Sequence, residues 1–109
     1  MEFQLSKTDL SEMMRRYVAR RLHFALGRFG SRVGLLSVRI AGYDGSPGAR
    51  HLCQISAQMA PFGEVSVQES HPDLHLAIDR ACGKIARSFA RELERMRDLR
   101  TTRETIRAA

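Results

Sequence analysis

The chain has no tryptophan, and aromatic residues make up 6% of its 109 positions. None of its strand-like segments carries the aromatic pair with which sheet-based readers of single-stranded RNA stack bases. No run approaches the ~20 apolar residues that cross a bilayer. The opening "MEFQLSKTDL" has neither a signal-peptide core nor a lipidation signal. A membrane partner is therefore not expected, and the expected location is cytoplasmic. Cysteine is scarce: Cys53 and Cys82 lack the spacing of metal or redox pairs. Each occupies an apolar-face position, so both read as small core residues in a reducing compartment.

Catalytic patterns are missing as well. The chain has no nucleophile elbow and no Ser-His-Asp order. "GYDGSPG" lacks the Gly-Lys-Ser/Thr ending of a phosphate loop. His71 and His75, near Glu69, Asp73 and Asp79, could suggest a metal site. His71, however, precedes Pro72 and so falls outside the following helix, where it cannot share a helical face with His75. Turn and cap roles account for the cluster, and no metal, cofactor, small-molecule substrate or enzymatic activity is expected.

What is present is positive charge. Lys plus Arg number 18 against 12 Asp plus Glu, a net charge of +6, and 16 of the basic residues are Arg. Such a balance favours polyanionic partners, and guanidinium groups suit bidentate phosphate contacts. The length predicts one domain with a simple core.

Periodicity predicts the elements. "MEFQLS" alternates as a strand, suited to a sheet edge. Thr8 or Ser11 opens a helix whose apolar positions Met14, Val18, Leu22, Ala25 and Phe29 follow the 3.6 period, with Gly30 as its C-terminal cap. Tyr17 and Phe24 flank that stripe as core-edge residues. Leu36, Val38 and Ile40 alternate, as do Cys53, Ile55, Ala57 and Met59, and then Val65 and Val67. Asp73 caps a long second helix. Residues 1–99 are expected to form the domain, and the tail 100–109 to fray or be disordered. The order β-α-β-β-β-α predicts an α+β fold: a four-stranded, mostly antiparallel sheet with two helices on one face, like a double-stranded-RNA-binding domain.

On the second helix, Ile78, Ala81, Cys82, Ile85, Phe89, Leu93 and Met96 form one stripe. Arg80, Lys84, Arg87, Arg91 and Arg95 form another on roughly the opposite side, in line over about 22 Å. Like charges at this spacing repel by a few tenths of a kcal/mol per pair. A solvated face usually intersperses acids, whereas here Glu94 and Asp98 enter late. Arg16 and Arg20 lie with His23 on the polar face of the first helix. The basic ridge predicts backbone and shape recognition of structured RNA.

"DLHLAIDRACGKIARSF" resembles the D-M-Y-x-A-I-D-x-x-x-D-K-L-x-R-Q-L signature of the ribosome hibernation-promoting factors and ribosome-associated inhibitors, the sigma-54 modulation family. Asp73, Leu74, Ala77, Ile78, Asp79, Lys84, Ile85 and Arg87 match it, and Tyr17, Val18, Arg21, Leu22 and Phe29 fit the family's first helix. The resemblance covers roughly residues 1–97. It implies a stress or stationary-phase factor that occupies the small-subunit mRNA and tRNA channel and inhibits translation. The implied partners are the small ribosomal subunit and its rRNA, met by Arg16, Arg20, Arg21 and the ridge from Arg80 to Arg95; free, the chain would be a monomer. Gly83 replaces an acid of the signature, Phe24 a common basic position, and Glu92-Leu93-Glu94 a Lys-rich run. The loop "AGYDGSPGAR" is longer than usual, and the further C-terminal domain with which long members pair ribosomes is not expected. These departures keep a second reading open, a divergent member acting as a protein-binding regulatory module with weak or no ribosome binding.

Overall fold

A computed structural model describes residues 2–5, 11–42, 50–61 and 63–108, with side chains for 11–42, 50–61 and 63–99. Thr8 and the loop 43–49 lie outside this set. The elements are β1 (Glu2–Leu5), α1 (Glu12–Leu26), β2 (Val33–Ala41), β3 (His51–Met59), β4 (Gly63–His71) and α2 (Leu74–Ala108).

Both helices begin where their capping side chains dictate. Ser11 Oγ accepts from the Met14 amide at 3.1 Å and opens α1. Asp73 Oδ1 accepts from the His75 amide at 2.9 Å and opens α2. His71 Nδ1 accepts from the Asp73 amide at 2.9 Å, which gives that histidine a turn-fixing role. The end of α1 differs from expectation. The helix stops at Leu26, a 3-10 stretch Gly27–Arg32 follows, and Gly30 adopts φ 57° inside that stretch. Phe29 thus belongs to the tighter turn, yet still reaches the core.

β2, β3 and β4 form an antiparallel meander. β1 runs parallel to β2 along its free edge, so the order across the sheet is β1-β2-β3-β4. Between Val33 and Leu36 the register slips by a residue against β3: Val33 faces Met59, and Leu36 faces Ala57. This bulge keeps both Val33 and Leu36 buried although they are three apart, and it leaves Leu35 exposed. β4 runs to His71, well beyond the alternating pair Val65 and Val67.

One face of the sheet meets both helices in a single core. Leu36, Val38 and Ile40 of β2, Cys53, Ile55, Ala57 and Met59 of β3, and Val67 of β4 are buried there, with Val65 packed at the margin. Val18, Leu22 and Leu26 cover them from α1, and Ala77, Ile78, Ala81, Cys82, Ile85 and Phe89 from α2. Phe29 meets Phe89 edge-to-face, with ring centroids 5.3 Å apart.

α2 runs on through the segment expected to fray, as far as Ala108. "RTTRETIRA" contains neither Gly nor Pro, and extending a nucleated helix costs little per residue. Leu93 is the last residue packed against the core among the described side chains, and the α2 backbone runs roughly 22 Å beyond it.

Candidate nucleic-acid interface

Across the two helices, Tyr17 and Arg21 face His75 and Asp79. Both pairs are four residues apart, one turn on each helix. Tyr17 Oη donates to Asp79 Oδ1 at 2.5 Å. Arg21 Nε lies 2.9 Å from the same oxygen, as an ion pair whose N–H is not aimed along that line. The Tyr17 and His75 rings meet edge-on at 4.8 Å. The hydrogen bond to Asp79 raises the Tyr17 phenol above its usual range, and burial and the Asp79 charge add to the effect. This clasp fixes how the basic faces of α1 and α2 are set against each other.

The ridge on α2 divides into three. Arg80, Arg87 and Arg91 are exposed, and none is in an ion pair with a described residue. Lys84 leans to the sheet edge, where its Nζ donates to the Gln68 carbonyl at 3.3 Å and lies 3.5 Å from Glu69 Oε1. Arg95 donates to Glu92 Oε1 at 3.3 Å and flanks a hollow with Glu64, Val65 and Ser88. The straight five-residue line is therefore bent. Residues 84 and 95 sit closer to the β4 flank than 80 and 87, and there they find acids and a strand carbonyl.

On α1, Arg16 pairs with Glu12 at 3.4 Å, in full solvent. Arg21 is held by Asp79. Arg20 is exposed and has no ion-pair partner among the described residues. Phe24, expected at the core edge, is 82% exposed. It lies about 60° farther around the helix from the core than Arg21, on the outward crest.

Two basic residues escaped the sequence reading. Arg28, just past the end of α1, lines a groove of about 480 Å³ with Arg87, Ala90, Arg91 and Glu94 of α2. Arg97 lines the adjoining hollow of about 260 Å³ with Arg28, Phe29, Ala90, Leu93 and Glu94. The Arg28 guanidinium lies over the Phe29 ring, 4.8 Å from its centroid. A small residue, Ala90, leaves room for the groove. Spacing gave one hint: Arg28 continues the four-residue series from Arg20 through position 24. Nothing in spacing says that α1 ends opposite Arg87 and Arg91.

The chemistry on offer is electrostatic: guanidinium groups from two helices converge on one exposed groove and could grip phosphate oxygens. The two thiols take no part. Burial pushes Cys53 and Cys82 up to about 12, so both stay protonated in the core. Among the described residues no cluster of His, Cys, Asp and Glu could hold a metal ion, and no helix is long and apolar enough to cross a membrane.

A family model for the sigma 54 modulation protein / S30EA ribosomal protein matches residues 1–97. The chain belongs to that family. Two solved structures share its architecture. The Thermus thermophilus Protein Y N-terminal domain is 25% identical with a TM-score of 0.58, covering 83% of this chain and 93% of its own. A ribosomal subunit interface protein from Coxiella burnetii is 11% identical with a TM-score of 0.67, covering 85% of this chain and 96% of its own, and shows the shared fold. No curated protein matches the chain by sequence. The family is ribosome-associated.

Proposed function

We propose that this protein binds the small ribosomal subunit through phosphate contacts of α1 and α2, occupies the channel for mRNA and tRNA, and thereby holds idle ribosomes inactive. The observation that carries this reading is the groove where Arg28 meets Arg87 and Arg91. These arginines form no ion pair among the described residues, and the packing of α1 and the 3-10 stretch beside α2 brings them together. Family membership supports the ribosome as the source of the phosphates. A sheet with two helices on one face also resembles double-stranded-RNA-binding domains, which read shape and backbone. Arg80 and Arg20 extend the contact surface. Lys84, Arg95, Arg16 and Arg21, each already paired, contribute less than their positions in the sequence imply.

The test is co-sedimentation with purified small subunits at two salt concentrations, comparing the parent with Arg87→Glu combined with Arg91→Glu. Removing one protein–phosphate interaction flattens the logarithmic salt slope by about 0.7–0.9. The double variant should keep its circular dichroism spectrum, lose most binding, and no longer slow cell-free translation. Parent-like binding by that variant would instead favour an apolar protein interface, which responds little to salt.

A further inference from the structure

On the outward crest of α1, Phe24 is 82% exposed between two arginines, Arg20 one helical turn before it and Arg28 four residues after it. Arg20 lies about 6 Å away along the axis, and Arg28, two residues into the 3-10 stretch, about 7 Å. The Arg21 Cζ carbon sits over the Phe24 ring, 5.7 Å from its centroid. Arg21 is itself tied to Asp79 at 2.9 Å. An exposed aromatic ring is therefore backed by a fixed cation and bracketed by two further cations.

We propose that Phe24 is a stacking platform for an unpaired base of ribosomal RNA, with Arg20 and Arg28 taking the phosphates on either side of that nucleotide. The inference rests on the ribosome-binding reading and assigns it a residue of a different kind. An aromatic ring accepts any base, because every base has a π-face, and arginines beside it add phosphate contacts. Because Asp79 positions Arg21, and Arg21 lies over the ring, less side-chain freedom is lost on binding. A protein partner for this crest would have to cover Arg20 and Arg28 together with the ring, which makes a polyanion the better complement. The aromatic poverty of the sequence argued against a stacking sheet, and the structure places the stacking group on a helix.

The chain's lack of tryptophan makes the test clean, since Phe24→Trp introduces a single reporter. Small subunits should quench its emission, as should an RNA hairpin with an unpaired loop, whereas a blunt duplex of equal length should not. Phe24→Ala and Phe24→Leu should each weaken small-subunit affinity by about 5- to 100-fold without changing the salt slope. Several results overturn the stacking role: parent-like affinity of Phe24→Ala, parent-like affinity of Phe24→Leu, unchanged Trp emission in the subunit complex, or a response to subunits but not to the hairpin. The last would place a ribosomal protein on the crest. Arg87→Glu with Arg91→Glu is run alongside. If it loses binding while Phe24→Ala does not, only the stacking role is lost; if both bind like the parent, the ribosome-binding reading falls as well.

Discussion

Tyr17 Oη and Asp79 Oδ1, 62 residues apart in the chain, are joined by a hydrogen bond of 2.5 Å that links α1 to α2. Arg21 completes the arrangement at 2.9 Å. The bond ties together the two basic helices, on the face where Arg28 lies beside Arg87 and Arg91.

Removing the phenol oxygen should therefore destabilise the fold modestly. Tyr17→Phe should lose about 1–2 kcal/mol, the range for a hydrogen bond to a charged acceptor that is partly solvated. Asp79→Ala should lose more, because Arg21 stays half-buried without its counter-ion. A double-mutant cycle by urea denaturation should show coupling of about 0.5 kcal/mol or more. The pH dependence has a definite sign. The folded phenol is raised above 10.0, so its contribution is complete below pH 10 and is lost as pH rises through the folded value. Above pH 10 the parent should lose stability faster than Tyr17→Phe. Parallel curves would remove Asp79 as the cause.

Phe89 is fully buried and edge-on to Phe29, at the place where α2, the 3-10 stretch and the sheet meet. Phe89→Ala should cost about 3–5 kcal/mol. For a domain of this size that lowers the thermal midpoint by well over ten degrees, at roughly 4–8 °C per kcal/mol. Differential scanning calorimetry gives the answer directly, and an unchanged midpoint would contradict the core assignment.

Charge reversal should separate Lys84 from Arg87. Lys84 bonds the Gln68 carbonyl and faces Glu69, so Lys84→Glu sets two carboxylates together and should reduce stability by about 1 kcal/mol. Arg87 has no such ties, and Arg87→Glu should stay within about 0.5 kcal/mol. Urea midpoints would show it: equal losses would mean that Lys84 is as free as its neighbour.

Gly83 lies within α2, where glycine costs about 1 kcal/mol relative to alanine. A methyl group there would meet only the Arg87 guanidinium, at 3.3 Å, the mobile end of a long side chain. Gly83→Ala should therefore stabilise the protein by about 0.5–1 kcal/mol, read as a raised thermal midpoint. A lowered midpoint would mean that Arg87 cannot yield.

Cys53 and Cys82, buried and pushed up to about 12, should react with a disulfide reagent at pH 8 only after unfolding. Rapid labelling of the native protein would show that the core opens at this seam.

Much of the fold was legible from local chemistry. Alternation placed Leu36, Val38, Ile40, Cys53 and Ile55 on the helix side, because a strand's side chains can face only two ways. The 3.6 period placed Ile78, Ile85 and Phe89, and Ser11 and Asp73 marked helix starts because short polar side chains bond free amides there. The end of α1 was less legible, since Gly27 and Gly30 both suit a helix end. The bulge at Gly34 and Leu35 breaks the alternation that would reveal it. The length of α2 followed from continued helix-forming residues, not from the apolar stripe used to bound it.

The candidate site divides along the same line. That α2 carries arginines opposite its core stripe is a matter of spacing alone, because a helix turns about 100° per residue whatever surrounds it. Spacing could not assign each cation its neighbour, since those neighbours come from distant parts of the chain. Glu69 on β4 takes Lys84, Asp79 takes Arg21, and the end of α1 brings Arg28 to Arg87 and Arg91. Only the docking of the helices on the sheet, driven by burial of Leu22, Ile85 and Phe89, decided which charges were neutralised and which, with the ring of Phe24, were left facing outward.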